Sequence, residues 1–361
     1  MMHITSDAVL RAFHASGKRH LIVTGGRKSG KTTLLNELIS DPMPGVVTWA
    51  VPKSAVYLRD GVTGETAQVG VFDESIPGEE NRMRLIPDGF TETGIPALTR
   101  DGDWLKIDEI GYLETECEPY CEALLRVFGE KRVIAAVRKQ DIPFLSALCR
   151  RDDVFTVDLD HPYSNLGCVI MASGEGKRFG SNKLTAQFLG RPLIQHAIEA
   201  TDGIFSRRVV VTRHLSVAEL CRENGIDVIL HDLPYRSDTV RLGIEMLADT
   251  DGCLFCQGDQ PLLSRETVSA MALSAVNDPS SIFRASYGGV GGSPVLFPQW
   301  TYGELADLPE GKGGGVLVKK YPGSVKHAEV RDPAELRDCD TLEDLAELER
   351  TALERIYTNF L

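Results

Sequence analysis

Apolar residues fall into short blocks separated by glycine-rich loops and by stretches of helical spacing, and the blocks form two series. In the first, His20-Leu21-Ile22-Val23-Thr24 is a continuous apolar run of strand length. A glycine-rich loop follows, then Thr32-Thr33-Leu34-Leu35-Asn36-Glu37-Leu38-Ile39, which has the spacing of an amphipathic helix. In the second, Cys168-Val169-Ile170-Met171 leads into another glycine-rich loop and a helix expected to open at Pro192, where a missing N–H is no loss. Strand Arg208–Thr212, helix 216–224 closed by Gly225, strand Asp227–Leu230, helix 237–248 and strand Gly252–Gln257 then alternate. Such alternation predicts an α/β fold in which a parallel sheet carries helices on its faces, with ligands beyond the carboxyl ends of the strands. Phe155-Thr156-Val157-Asp158-Leu159 reads as the last strand of the first series, and His161-Pro162-Tyr163-Ser164-Asn165 has turn residues and no period. The boundary is placed near residue 163, giving domains 1–163 and 164–361. No internal repeat joins them, because the two loops differ in spacing.

The length of 361 residues exceeds what one hydrophobic core serves, which agrees with two domains. A net charge of −13 speaks against broad nucleic-acid binding and against anionic membranes. It leaves room for a local phosphate site, since backbone N–H groups alone can build one. No apolar run approaches the ~20 residues needed to span a bilayer. The start, Met1-Met2-His3-Ile4-Thr5-Ser6-Asp7, lacks the basic-then-apolar pattern of a secretory signal, so a cytoplasmic protein is expected. Cys253 and Cys256 form a lone C-x-x-C inside an apparent strand and read as core residues, as do Cys117 and Cys121 on one helix face. His161, His196, His214, His231 and His327 show no metal-ligand spacing.

Gly25-Gly26-Arg27-Lys28-Ser29-Gly30-Lys31-Thr32 fits G-x-x-x-x-G-K-[ST] and lies between a strand and a helix, the context the motif requires. Gly25 and Gly30 allow the backbone to wrap a phosphate, Lys31 reaches the β/γ oxygens, and Thr32 ligates Mg²⁺, with Thr33 completing the cradle. The motif needs a carboxylate at the end of a neighbouring strand, and Trp104-Leu105-Lys106-Ile107-Asp108-Glu109 supplies it. Asp108 is placed to hold the metal and Glu109 to polarise the attacking water. Together with Asp108-Glu109-Ile110-Gly111-Tyr112-Leu113-Glu114, Arg138 and the run from Pro143 to Val154, these residues resemble the small P-loop nucleoside-triphosphatases first known from thermophiles. The resemblance covers about 18–160 and implies a three-layer α/β/α domain that binds ATP or GTP. Residues 48–100 match that family poorly, and Arg82 and Arg84 there read as solvated surface arginines more than as phosphate clamps.

The second loop, Ala172-Ser173-Gly174-Glu175-Gly176-Lys177-Arg178-Phe179-Gly180-Ser181-Asn182-Lys183, has no closing Gly-Lys-Ser/Thr. It sets Arg178 and Lys183 over one loop, as a triphosphate losing pyrophosphate requires. It is similar to the L-A-[AG]-G-x-[SG]-x-R-[MF]-G-x-x-K signature of nucleotidyltransferases acting on molybdopterin, with Gly174, Arg178, Gly180 and Lys183 at its key positions. Gln257-Gly258-Asp259-Gln260-Pro261-Leu262-Leu263, Gly292-Ser293-Pro294-Val295-Leu296-Phe297, Gly311–Gly315 and Asp338-Cys339-Asp340-Thr341-Leu342-Glu343-Asp344 extend the resemblance over 167–350. It implies a Rossmann-like three-layer α/β/α domain that moves a nucleotidyl group, with CTP favoured, onto a molybdopterin-like phosphate. Ala172, Ser173 and Gly174 would contact the nucleotide, while Arg178 and Lys183 steady its phosphates. Mg²⁺ would sit on Asp259 and Asp340, with Asp338 the alternative to Asp340. A molybdoenzyme receiving the cofactor is an implied partner. Thr341 with Asp344 reads as a capping box. Ser237 reads equally as a helix N-cap and as a contact to acceptor phosphate. Two other readings stand beside this one: a first half acting as a nucleotide switch in cofactor insertion, and a second half acting on sugar or polyol phosphates.

Overall fold

A computed structural model describes residues 4–39, 43–77, 82–176, 178–180 and 182–358, without the side chains of 356–358. Lys177 and Ser181 of the second loop lie outside the described residues. The chain forms two compact units, Ile4–Pro162 and Tyr163–Leu361. Among the described residues all eight cysteines are free, and no helix is long and apolar enough to cross a membrane.

In chain order the first unit holds α1 (Ser6–Ser16), β1 (His20–Gly25), α2 (Lys31–Leu38), β2 (Gly45–Val51), β3 (Ala55–Asp60), β4 (Thr66–Phe72) and β5 (Met83–Leu85). A π-helical turn, Gly89–Gly94, leads to α3 (Ile95–Thr99), β6 (Trp104–Ile110), α4 (Tyr112–Glu116), α5 (Glu118–Glu130), β7 (Arg132–Arg138), α6 (Pro143–Cys149) and β8 (Val154–Asp158). The strands form one sheet in the order β5-β4-β3-β2-β6-β7-β1-β8. From β2 through β6, β7 and β1 to β8 the pairing is parallel, whereas β2 to β5 form an antiparallel meander. Leu21, Ile22 and Val23 are fully buried, as a central parallel strand covered on both faces must be. The strand carrying Asp108 is not next to the loop strand: β7 stands between β6 and β1. The core gathers Phe90, Leu105, Ile107, Tyr120 and Phe128, with the Phe90 and Tyr120 rings 4.6 Å apart.

The second unit holds β9 (Leu166–Ala172), β10 (Gln187–Phe188), β11 (Arg191–Pro192), α7 (Leu193–Thr201), β12 (Arg207–Thr212), α8 (Leu215–Glu223), β13 (Asp227–Leu230), α9 (Arg236–Met246) and β14 (Gly252–Gln257). Then come α10 (Arg265–Asn277), β15 (Ile282–Tyr287), β16 (Val290–Pro298), α11 (Tyr302–Ala306), α12 (Gly315–Lys320), β17 (Val325–Glu329) and α13 (Leu342–Thr358). Its main sheet runs β13-β12-β9-β14-β16-β15-β17. The first four strands are parallel, and β16 runs antiparallel to both its neighbours. Strands β12 and β14 flank β9, so the chain leaves β9 at the point where strand order reverses, and the second glycine loop starts there.

Several boundaries move by a residue or two. Pro192 caps α7 rather than filling its first turn, and α9 begins at Arg236. Ser237 is therefore buried inside the first turn of α9 and is not its N-cap, a place taken by Tyr235. The box at α13 forms: Asp344 N–H donates to Thr341 Oγ1 (3.1 Å), and Thr341 N–H donates to Asp344 Oδ2 (2.8 Å). Such a cap contributes about 1 kcal/mol.

Candidate active sites

The first site grows from the carboxyl end of β1. Gly25 has φ 149° and Gly30 has φ 99°, backbone that side-chain-bearing residues rarely adopt. At Gly25 a side chain would also be crowded, because a Cβ would stand 2.7 Å from Ser29 Oγ and 3.2 Å from Leu159 Cβ. Lys31 is buried, and its ammonium donates to the carbonyls of Gly25 (3.1 Å) and Gly26 (2.8 Å) while standing 3.5 Å from Glu109 Oε2. Thr32 Oγ1 donates to Asp108 Oδ1 at 2.9 Å, so the two expected metal-side groups meet although β7 separates β6 from the strand β1 that leads into the loop. Burial raises the Asp108 carboxyl, with the Thr32 hydroxyl opposing. The register of β6 on β7 slips between Asp108 and Ile110, which re-aims Glu109 relative to its neighbours. Arg138, at the end of β7, grips Glu109 Oε1 through Nε and Nη2, each at 2.7 Å. Thr33 lies exposed on α2, one residue beyond these contacts.

Two features escaped the sequence. Asp160 accepts the Gly26 N–H with both oxygens (3.0 and 3.2 Å) and lies 3.4 Å from Lys139, and the Gly26 N–H holds its carboxyl below the usual range. A cavity of about 450 Å³ opens on Glu109 and Arg138. Arg82 lines it, stacked 5.0 Å over Phe72, and so is not the solvated surface arginine expected; Arg84, with 70% of its side chain exposed, is. Beside this cavity Glu114 is buried, accepts the Gly111 N–H at 2.8 Å, and is pushed by burial up to about 7.

The second site lies beyond β9 and β14. The buried Lys183 ammonium stands 2.5 Å from Asp259 Oδ2 and 2.7 Å from Asp340 Oδ1, and Arg178 reaches Asp340 Oδ2 at 2.6 Å. Four of the expected residues thus form one cluster. Burial alone would depress the Lys183 ammonium, but Asp259 and Asp340 outweigh it and hold it above the usual lysine range. The Lys183 hydrogen bond lowers Asp340. Asp338 is pushed up to about 6 by burial and then by Asp259 and Asp340. Of the two candidates for the second carboxylate, Asp340 is the one that shares a lysine with Asp259.

Ala172 ends β9 buried, and Gly180 turns at φ 78°. The loop is tied down by residues the sequence reading had not assigned to it. Arg213 donates twice to the Ser173 carbonyl (3.0 and 2.9 Å), His214 Nε2 lies 2.8 Å from the Gly174 carbonyl, and His231 Nε2 lies 2.9 Å from Ser173 Oγ. No spacing rule could have found them, because Arg213 follows β12, His214 caps α8 and His231 follows β13. A cavity of about 340 Å³ beside the loop includes Ser173, Gly174, Arg213 and Tyr235. A second, of about 820 Å³, runs past Asp259 to Arg284, Lys312 and Lys319. Met171, Arg236 and Gln257 line both. Ser237 lines neither, which separates it from nucleotide or acceptor contact there.

Both donor sets suit a hard divalent cation. Thr32 and Asp108 offer oxygens 2.9 Å apart, and Asp259 and Asp340 already converge on one ammonium cation. Among the described residues no group of three or more His, Cys, Asp or Glu could hold an ion. One or two carboxylates completed by substrate phosphates is the usual arrangement for Mg²⁺.

Residues 20–165 match the family model described as NTPase, and residues 168–327 that described as MobA-like NTP transferase domain. Nucleoside-triphosphatase THEP1 of Ignicoccus hospitalis is 40% identical over 148 residues, covering 37% of this chain and 85% of the relative. The 3-deoxy-manno-octulosonate cytidylyltransferase of Bdellovibrio bacteriovorus is 33% identical over 110 residues, covering 28% of this chain. The chain spans only 44% of that relative's length. Among solved structures, a nucleotidyl transferase from Methanothermobacter aligns with 53% of this chain and 99% of its own, at 21% identity and a TM-score of 0.47.

Proposed function

We propose, for a chain whose first half belongs to the nucleoside-triphosphatase family of THEP1 and whose second half is a MobA-like NTP transferase domain, that two nucleotide reactions run in tandem. The second half transfers CMP from CTP to a phosphate acceptor of the molybdopterin kind and releases pyrophosphate. The first half binds ATP or GTP and hydrolyses it.

The observation that carries the transferase reading is the Lys183–Asp259–Asp340–Arg178 cluster, whose Asp259 lines the larger, cationic cavity, which in turn shares Met171, Arg236 and Gln257 with the loop-side one. A triphosphate at the loop places its α-phosphorus toward Asp259, and Arg178 and Lys183 take up charge on the departing pyrophosphate. Arg236, Arg284, Lys312 and Lys319 give the larger cavity the charge an anionic acceptor needs. The acceptor oxygen then attacks in line, with no covalent enzyme intermediate, and positioning supplies much of the rate. Mg²⁺ bound by Asp259 and Asp340 would neutralise the triphosphate and polarise it for attack.

In the first half Lys31 reaches the γ-phosphate, Glu109 orients water, and Arg138 holds Glu109 in place. Thr32 and Asp108 would hold Mg²⁺ there.

A second reading of the acceptor has its own support. The curated cytidylyltransferases similar to this chain act on 3-deoxy-manno-octulosonate by their names, which favours CTP and allows a sugar acid in the larger cavity. Pyrophosphate release separates the readings when CTP, GTP and ATP are each paired with molybdopterin, 3-deoxy-manno-octulosonate and a sugar phosphate. Turnover confined to CTP with molybdopterin is expected. Turnover with the sugar acid and none with molybdopterin would overturn the first reading.

A further inference from the structure

The first unit's cavity is larger than hydrolysis requires. Its volume is about 450 Å³, while a cavity needs only about 10–15 Å³ to hold one water. Nor is it the triphosphate cradle itself. Of the loop Gly25–Thr32 only Arg27 lines it, and most of the rest comes from the β2–β5 meander and from residues 109–114 and 138–140. It begins at Glu109, where Lys31 marks the γ-phosphate end, and extends over the meander. A volume of this size is that of a small-molecule site.

The walls describe the guest. Lys53, Arg82, Arg138 and Lys139 join Arg27, against two acidic side chains, Glu109 and Glu114. Glu114 is partly neutral near pH 7, because burial pushes its carboxyl up to about 7. Arg82 is set for an anion: it is held over the Phe72 ring, donates from Nη2 to the Glu74 carbonyl at 2.6 Å, and keeps a buried Nε with no hydrogen-bond partner among the described residues. Flat apolar surface comes from Trp49, Phe72 and Tyr112, and the Trp49 ring is steadied by stacking on Tyr57 at 5.7 Å. An anion with a planar ring suits such walls.

We infer that the first unit is also a phosphotransferase, whose cavity over the meander takes a nucleoside 5′-monophosphate and passes the γ-phosphoryl group to it. The inference rests on the reading that a nucleoside triphosphate occupies the Gly25–Thr32 loop. An oxygen of the acceptor phosphate forms the new bond to the γ-phosphorus while the bond from that phosphorus to the β,γ-bridging oxygen breaks. The electron pair leaves on the nucleoside diphosphate, and a second nucleoside diphosphate is made from the acceptor. No proton has to be removed from a dianionic phosphate. That suits Glu109, whose Oε1 is gripped by Arg138 and whose Oε2 faces Lys31, so neither oxygen is free of a cation. Arg138 and Arg82 balance the charge of two phosphates brought together.

The test uses the full chain with Mg²⁺, γ-labelled ATP and, in turn, CMP, UMP, AMP and GMP, with products separated by thin-layer chromatography. Label is expected in a nucleoside diphosphate with at least one monophosphate, saturably, and at the expense of free phosphate. Arg82→Ala should cut the ratio of transfer to hydrolysis about tenfold or more, the usual cost of losing a charge-assisted contact. Trp49→Ala should raise KM for the monophosphate. Lys31→Ala should abolish both products, which excludes a contaminating kinase. Label appearing only as free phosphate with all four monophosphates would overturn the inference and leave hydrolysis standing. Label released in no form would overturn the reading beneath it, and an unchanged partition in Arg82→Ala would overturn the assignment of the cavity.

Discussion

Replacing Glu114 by Gln should stabilise the first unit at alkaline pH and leave it nearly unchanged at acid pH. Glu114 is only 4% exposed, and burial pushes its carboxyl from the ordinary 4.5 up to about 7, against the Gly111 N–H and the charge of Arg138, which pull it down. The folded unit therefore keeps a proton that the unfolded chain releases. The sign follows: this contribution to stability is fully present below the unfolded value of 4.5 and is lost as pH rises through about 7. At about 1.4 kcal/mol for each pH interval of one, the loss amounts to roughly 3 kcal/mol. A Gln side chain is neutral throughout and keeps an oxygen for the Gly111 N–H. At pH 8 the variant should gain most of that difference, a rise of roughly 5–10 °C in the unit's melting temperature. Calorimetry of the full chain at pH 5 and pH 8 reads it, with Trp49 and Trp104 fluorescence identifying the first unit's transition and Trp300 the second's. A difference between variant and parent that is equal at both pH values would refute the argument. So would a variant less stable than the parent at pH 8, which would mean that the ionised carboxylate is held by Arg138 and is an asset to the fold.

Asp259→Asn should lower pyrophosphate release by about 100-fold or more while circular dichroism stays unchanged, since the group is partly exposed and its loss unburies nothing. Near-normal turnover would remove Asp259 from the chemistry. Lys31→Ala should abolish phosphate release from the first unit while pyrophosphate release by the second persists; a parallel fall in both would show that the two reactions depend on each other. Chelation of divalent metal should weaken CTP binding more than ATP binding, as titration calorimetry would show. Equal weakening would contradict the different holding of the two lysines.

What the sequence disclosed was what a short local pattern can encode. The loop Gly25–Thr32 declares itself because its glycines, lysine and threonine act within one turn of chain. The parallel strands β9, β12 and β14 declare themselves because burial on both faces leaves an unbroken apolar run. Antiparallel strands with one open face have no such run: β2 ends in the exposed residues Trp49–Val51, and β4 mixes buried Val69 and Gly70 with half-buried neighbours. The meander therefore looked like poorly matching sequence, although it builds half of the first cavity's lining. The slip that re-aims Glu109 and the insertion of β7 between β6 and β1 are properties of strand pairing, which no window along one strand contains. Ser237 failed for a related reason. Ser-x-x-x before an apolar period is a good cap signal, but here the N-cap falls two residues earlier, at Tyr235, whose N–H donates to the Asp238 carboxylate.

The two sites prepare a lysine for phosphate in different ways, and the difference assigns different work to the metal. Lys31 is held mainly by the neutral carbonyls of Gly25 and Gly26, with Glu109 more distant at 3.5 Å. A phosphate can draw such an ammonium away without stranding a charge. Lys183 is held by two carboxylates at 2.5 and 2.7 Å, and a third acid, Asp338, interacts with both of them. If Lys183 turned to a triphosphate alone, Asp259 and Asp340 would face each other and an incoming polyanion without compensation, which is costly where burial lowers the local dielectric. Arg178 compensates Asp340 in part, but with 74% of its side chain exposed it is screened by solvent. A divalent cation held by Asp259 and Asp340 would supply the charge that frees Lys183 for phosphate. Under the proposed function, the second site would engage its triphosphate fully only when metal and nucleotide arrive together, while the first would hold a nucleotide on backbone and lysine before any metal is added.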